Sequence, residues 1–169
     1  MEVFMRHWLR WPSLEYVMSQ PGAWALCETL HFLGLCLLIG IVGMFDLRVL
    51  GMGKGIAPRA LKRLLPWGVL GFALCASTGA LFVGGMGANL IGDNAYDVIL
   101  RDSWLQWKLL FIALAGLNLG AYYLTGMSRA VDAVDANGGA PALAQFFAGT
   151  SLCLWIGVIV FGRLIPQGL

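Results

Sequence analysis

The sequence predicts an all-α membrane protein: an up-down antiparallel bundle of four transmembrane helices, preceded by a short N-terminal interfacial helix. The first reason is composition. The 169-residue chain is 59% hydrophobic and only 12% charged, and its mean hydropathy is +0.78. A soluble domain carries about 25% charged residues, so half that density cannot cover a globule of this size with polar surface. This composition excludes a disordered chain, a nucleic-acid-binding module and an ordinary soluble enzyme.

The second reason is the length of the apolar runs. A hydrocarbon core of roughly 30 Å needs about 20 apolar residues in a helix. Four runs qualify: 24–45, 67–91, 104–127 and 141–162. Runs of this length favour helices over barrel strands, which would be about 10 residues of alternating polarity.

The third reason is where the charges lie. Of the 11 basic and 9 acidic residues, only Glu28 and Lys108 fall inside the four runs. The others lie in the tails and loops, which is the partition that lipid demands. We therefore treat residues 1–169 as one membrane domain without a linker.

Residues 1–20 precede the first span and differ from it in character. The large apolar side chains Phe4, Trp8, Leu9 and Trp11 alternate there with Arg6, His7 and Arg10, and Pro12 interrupts the pattern. This pattern predicts a short helix lying in the membrane interface. A disordered tail is the alternative, since termini are often loose.

The expected orientation follows from the basic residues of the loops. The loop 46–66 carries five of them: Arg48, Lys54, Arg59, Lys62 and Arg63. The loop 92–103 has Arg101 against three aspartates. The positive-inside rule places the first of these loops in the cytoplasm, so both termini of a four-span chain lie outside.

Small residues at a spacing of four predict close packing between spans, because they let helix backbones approach in lipid. The candidate interface residues are Ala80 and Gly84 in the second span and Gly116 and Gly120 in the third. Asn118 lies mid-span and is expected to hydrogen-bond across the bundle. Short loops favour the up-down arrangement.

Up-down threading places Glu28, His31 and Lys108 in the same outer layer. Glu28 and His31 are three residues apart and share a helix face. One interpretation is a Glu28–Lys108 ion pair with His31 hydrogen-bonded nearby, since intramembrane charges usually pair. The other makes His31 an axial ligand of a tetrapyrrole, most simply haem b, with Met86 as the second ligand.

Other cofactors fit less of the sequence. His31 is the only histidine within a span, so a bis-histidine haem needs His7 or a second copy of the chain. Bacteriochlorophyll accepts a single histidine. A di-iron centre at Glu28-x-x-His31 lacks carboxylates from other spans, and copper at Cys27, His31 and Met86 rests on common residue types. No metal site is predicted.

The charged pair Asp46 and Arg48 follows the first span directly. The favoured interpretation is a solvated interface, in which the two side chains cap the helix or reach the lipid headgroups. No complete catalytic constellation is present, which favours a non-catalytic protein.

Several short motifs follow one another in a characteristic order. They are Glu28-Thr29-Leu30-His31, Asp46-Leu47-Arg48-Val49-Leu50-Gly51, Leu65-Pro66-Trp67 with Gly71-Phe72, Trp107-Lys108, and Ala115-Gly116-Leu117-Asn118. This order resembles a family of small bacterial integral membrane proteins classed as a domain of unknown function. The resemblance implies four membrane helices and bacterial origin, but no activity. Together with the loop charges, it leads us to expect a bacterial inner-membrane protein with both termini periplasmic. The resemblance extends loosely to cytochrome b561-like and copper-resistance membrane domains, whose several intramembrane histidines this chain lacks.

These observations predict a non-catalytic integral membrane subunit that docks on a larger redox complex, respiratory or photosynthetic. Cofactor ligands are too few for a standalone carrier, and small-residue seams occur on more helices than one internal contact needs. The alternative is a b-type cytochrome that uses His31. The expected partners are membrane lipids, including bound ones, and other membrane subunits or a second copy. A transporter is disfavoured, since no repeat or broken helix is present.

Overall fold

The computed structural model describes residues 12–89 and 95–165, with backbone alone at 86–89 and 95–97. Within these residues the chain is all-helical and has no strand, which confirms the predicted class. The helices are α1 (Pro12–Met18), α2 (Ala23–Val49), α3 (Pro58–Lys62), α4 (Leu65–Asn89), α5 (Ala95–Arg101), α6 (Ser103–Leu124), α7 (Met127–Asp132) and α8 (Ala142–Leu164).

Four of the helices, α2, α4, α6 and α8, are long and apolar enough to cross a membrane. No more than 22% of the most apolar window of each span is buried inside the protein. Most of these side chains therefore face outward, and leucines such as Leu117 and Leu124 are exposed. An apolar surface of this extent marks contact with lipid or protein. The chain is thus a multi-pass membrane protein by the length and composition of its helices.

The first span extends further than its apolar run. Helix α2 continues to Val49 rather than ending near Phe45, so Asp46 and Arg48 belong to its last turn. The chain leaves the helix at Gly51, whose φ of 99° lies in the left-handed region that favours glycine. The backbone conformation, and not the first charged residue, therefore ends this span.

Helices α2 and α4 approach each other backbone to backbone. A Cβ atom on Gly34 would lie 2.8 Å from the Cys75 Sγ atom and 2.9 Å from the Gly71 carbonyl oxygen. A Cβ on Gly71 would lie 2.7 Å from the Gly34 carbonyl oxygen. Only glycine fits at both positions, so this crossing depends on the absence of side chains, as expected for helices in lipid.

Helices α6 and α8 form the second close pair. The Phe111 ring fills the space beside Gly157, where an added Cβ would collide with it. The Asn118 Nδ2 atom donates a hydrogen bond to the Phe147 carbonyl oxygen at 3.0 Å. This bond confirms the prediction that Asn118 links two helices of the bundle.

The two pairs meet mainly through α2 and α8. Leu152 approaches Gly43, and Leu50 approaches Gly149, each at 3.9 Å from the position of an added Cβ. In the described part of the chain, α4 makes at most marginal contact with α6. Three sides of the four-helix arrangement are therefore packed, and the side between α4 and α6 is loose.

Helix α1 lies against the C-terminal part of α4. Leu14 contacts Gly84, Met18 contacts Gly85, and the Met18 side chain is buried. This part of the predicted interfacial segment thus packs on a long helix. The aromatic and basic residues before Pro12 lie outside the described residues.

The predicted interface residues have different surroundings. Gly84 is covered by α1, Ala80 is exposed, and Gly116 and Gly120 have no atom within 4 Å of an added Cβ. Gly84 therefore serves an internal contact, and the other three are free to meet lipid or another chain.

Candidate functional site

His31 lies on α2 at its contact with α4. We call Glu28, His31, Thr78, Phe82 and Lys108 the His31 end. The His31 Nδ1 atom and the Thr78 Oγ1 atom are hydrogen-bonded at 2.7 Å. The ring also meets Phe82 edge to face, with centroids 5.6 Å apart. These are the surroundings of a histidine that joins two packed helices.

The structure does not bring Glu28 and Lys108 together. Glu28 is exposed on α2, whereas the half-buried Lys108 reaches across to α8, where its Nζ atom lies 3.2 Å from an added Cβ on Gly162. Within the described residues the ion pair is Lys62–Asp132, not Glu28–Lys108. The expected pairing is therefore wrong, because Glu28 is exposed on α2 whereas Lys108 lies against α8.

Haem ligation by His31 and Met86 stays a prediction. The Met86 backbone belongs to α4, and its side chain lies outside the described part. Phe82 and Thr78 occupy two sides of the His31 ring, which suits a packed imidazole better than the face of a macrocycle. No group of three metal-ligating side chains is found among the described residues.

The opposite end of the bundle holds a cavity of about 270 Å³ between α2, α4, α6 and α8. We call it the helix cavity. The residues that line it from α4 and α6 include exposed ones: Val69, Phe72, Gly116, Leu119 and Tyr123. Those that line it from α2 and α8 are mostly buried: Leu38, Phe45, Asp46, Ala144 and Ala148. The mouth of the cavity therefore lies between α4 and α6, and its floor between α2 and α8.

Asp46 is the one carboxylate of the cavity lining. Asp46 is only 5% exposed, and the side chain of Ser151 on α8 lies near it. The Asp46 Oδ2 atom has no partner, and neither has the hydroxyl of Tyr122, which is 7% exposed and lines the same cavity. Two buried polar atoms thus remain available at one end of an otherwise apolar space.

Arg48 is buried as deeply as Asp46 but points elsewhere. Its guanidinium donates hydrogen bonds to the carbonyl oxygens of Ile56 at 2.5 Å, Asp135 at 3.1 Å, Ala136 at 2.7 Å and Gly138 at 3.2 Å. These carbonyls belong to the two loops that follow α2 and α7. Arg48 therefore ties the loops together and leaves the carboxylate of Asp46 without a cation.

A salt bridge lies beside these loops. The Lys62 Nζ atom of α3 is 2.6 Å from the Asp132 Oδ2 atom and 2.6 Å from the Ser128 hydroxyl, both on α7. We call Asp46, Arg48, Lys62, Tyr122 and Asp132 the Arg48 end.

The solvated interface predicted for Asp46 and Arg48 is wrong. Arg48 is 2% exposed, because the loop after α7 folds over it and supplies three of its acceptors. The sequence carried no signal for this outcome, since charges that directly follow an apolar run are ordinary at a membrane interface. It carried none for Ser151 or Tyr122 either, which look like ordinary members of their spans.

Comparisons of the chain with protein-family models, curated proteins and solved structures give no match.

Proposed function

We propose that this chain is a non-catalytic membrane protein that takes an apolar part of a lipid-soluble molecule into the helix cavity. The observation that carries the proposal is the position of the cavity mouth between α4 and α6, two helices long and apolar enough to lie in a membrane. Binding sites in proteins are largely apolar clefts with a few placed polar groups, and this cavity has that composition.

The exposed rim of the cavity supports lateral access from the bilayer. Val69 and Leu119 are 66% and 56% exposed, and both line the cavity from opposite sides of its mouth. When α4 and α6 are surrounded by lipid, these side chains meet hydrocarbon. An apolar space that opens on hydrocarbon can be filled without crossing a polar barrier.

The proposed topology is the up-down antiparallel bundle in a bacterial inner membrane, with both termini periplasmic and the N-terminal segment at the interface. The loops that follow α2 and α7 support it, since Arg48 and the Gly55–Ala136 hydrogen bond of 3.0 Å join them at one end of the molecule. The segment between α2 and α4 carries four basic residues, Lys54, Arg59, Lys62 and Arg63, which favours the cytoplasm for this end.

The cavity proposal is tested by blocking the mouth. Gly116 lines the cavity, Gly120 lies one turn further along α6 outside it, and neither has an atom within 4 Å of an added Cβ. Gly116→Leu should therefore fill the cavity, and Gly120→Leu is its matched control with the same change on the same helix.

The readout is photo-crosslinking of an alkyl diazirine alcohol to the protein in nanodiscs, mapped by mass spectrometry. We expect labelling of the peptides that carry Phe147, Ser151 and Trp155, its loss in Gly116→Leu, and its retention in Gly120→Leu. Labelling that is equal in all three proteins, or absent from these peptides, would overturn the proposal.

Docking on a larger redox complex is a second candidate function. Gly120 and Ala80 are exposed small residues with no internal partner helix, which suits contact with a further membrane helix. We expect a stoichiometric partner from native membranes that Gly120→Leu releases. The same purified sample tests the cytochrome alternative, since a Soret band lost in His31→Ala would support haem at His31.

A further inference from the structure

The helix cavity is lined near Asp46 by two polar atoms that have no partner among the described residues. The Asp46 Oδ2 atom and the Tyr122 hydroxyl are both unpartnered, both more than nine-tenths buried, and both on the cavity wall. Buried polar groups are hydrogen-bonded in the great majority of cases, so each unpartnered one requires an explanation. Two in one cavity indicate a missing polar partner there.

The hydrogen bonds of Arg48, Lys62 and Asn118 are directed away from Asp46. Arg48 directs its donors to the loop carbonyls, and Lys62 is held by Asp132 and Ser128. The Asn118 amide donates its hydrogen bond to the Phe147 carbonyl oxygen. The Arg48 Nη1 atom also lacks a partner, but no salt bridge joins Arg48 or another described cation to Asp46, so the Asp46 Oδ2 atom stays free for a ligand in the cavity.

We propose that the helix cavity selects lipid-soluble molecules that carry a hydrogen-bond-donating head group, an alcohol or an amine, with Asp46 as acceptor and Tyr122 as second contact. The inference rests on the proposed function and adds the chemistry of the ligand. A carboxylate accepts hydrogen bonds but cannot donate them when ionised. An acidic head would place a second carboxyl group beside Asp46 in a space of low polarity, where the two groups cannot both be ionised.

The lining of the cavity also limits where the head can sit. Asp46, Ser151 and Tyr122 are the polar side chains around the proposed head-group position. The mouth is formed by apolar side chains such as Val69 and Leu119. The head therefore lies at the floor and the apolar tail points toward α4 and α6. This orientation follows from matching polar and apolar ends of the ligand to those of the cavity.

The test uses three ω-bromoalkyl probes of equal chain length that differ only in the head: an amine, an alcohol and a carboxylate. Bromine quenches nearby tryptophan, and Trp155 lines the cavity. The signal is the quenching that disappears in Trp155→Phe, measured on the whole protein in nanodiscs. We expect the amine and the alcohol to bind at least about tenfold more tightly than the carboxylate, since a charge-assisted hydrogen bond is worth about one tenfold step or more.

Asp46→Asn should remove this preference, because an amide both donates and accepts and carries no charge. Asp102→Asn is the matched control: Asp102 is also a buried carboxylate with an unpartnered oxygen, but it caps α6 outside the cavity, and asparagine caps as well as aspartate. The control should keep the full preference. If Asp46→Asn does not fold, Tyr122→Phe replaces it and should weaken alcohol binding about threefold or more.

The outcomes separate the two proposals. Trp155-dependent quenching of equal strength with all three heads would overturn the head-group inference and leave the cavity function standing. Quenching by none of the probes, together with no effect of Gly116→Leu, would overturn the cavity function as well. A preference for the carboxylate would contradict the assignment of Asp46 as acceptor.

Discussion

At the His31 end a single hydrogen bond of 2.7 Å joins His31 to Thr78, and Glu28 remains exposed. At the Arg48 end an arginine with 2% exposure binds four carbonyl oxygens, and a carboxylate with 5% exposure lies beside it in a cavity. Both ends contain ionisable residues within or next to a span. They differ in whether loops fold back over the charged side chains.

The difference shows what it takes to bury a charge in this fold. A buried ion needs hydrogen bonds that replace water, and helices alone offer few, since their own carbonyls are already used. The irregular backbone of the loops after α2 and α7 supplies free carbonyls for Arg48. The His31 end has no such loop among the described contacts of Glu28, and there the charge stays at the surface.

The largest effect on stability should come from removing the hydrogen bonds by which Arg48 holds the two loops together. Arg48→Met keeps the length of the side chain but leaves four carbonyl acceptors without their donor, and should lower the free energy of unfolding by about 3 kcal/mol or more. The measurement is unfolding in mixed micelles with rising SDS. Arg48→Lys should recover only part of the loss, because an ammonium lacks the planar set of donors.

Arg59→Met is the matched control for this change. Arg59 lies exposed on α3, so its removal should change stability by no more than about 0.5 kcal/mol. Equal losses for Arg48→Met and Arg59→Met would mean that burial of Arg48 contributes nothing.

The helix crossing near the His31 end should give the next largest effect. In Gly34→Ala the new Cβ would lie within 3 Å of Cys75 and Gly71, so α2 and α4 must separate, at a loss of about 1–3 kcal/mol. Gly40→Ala on the same helix has no atom within 4 Å and should be neutral or stabilising by up to about 1 kcal/mol. Thermal unfolding of both variants in detergent checks the contrast, and equal behaviour would refute the close crossing.

A smaller effect is expected at the hydrogen bond itself. In a double-mutant cycle, His31→Leu and Thr78→Val should show a coupling of about 0.5–1 kcal/mol, since each removes the partner of the other. Thr29→Val is the control partner, because the Thr29 hydroxyl bonds to Ala25 of its own helix and should not couple to His31. A zero coupling for Thr78 would show that this contact is not stabilising.

The smallest effect concerns the two charges that do not meet. Glu28→Gln and Lys108→Met should be additive within about 0.5 kcal/mol, since the side chains lie against different neighbours. The cycle of Lys62→Met with Asp132→Asn, across an observed 2.6 Å pair, serves as the positive control and should couple by up to about 1 kcal/mol. Coupling of Glu28 to Lys108 as strong as in that pair would contradict their separation.

Part of the candidate site was within reach of the sequence. Asn118 is a polar amide in the middle of an apolar run, and a group of that kind has to find a partner on another helix. His31 is likewise a polar side chain within an apolar run, and it binds Thr78. The predicted ion pair between Glu28 and Lys108 was wrong because two residues at the same depth in the membrane do not have to be in contact. The direction in which each side chain leaves its helix also decides whether they meet.

The helix cavity could not be predicted because the spans are apolar on all sides. In a soluble helix the polar face shows which side is turned inward, but a span surrounded by lipid has no such contrast. Ser151 and Tyr122 therefore looked like their neighbours along the chain. Their convergence on Asp46 depends on how α6 and α8 rotate against α2.

The order of residues is enough to specify the solvent of this protein and the number of helices that meet it, since length and polarity decide whether a segment can exist in hydrocarbon. Which charges became internal depends on how the folded chain brings distant segments together. That choice required two loops far apart in the chain to converge on Arg48, and long-range convergence leaves no periodic mark in the order of residues.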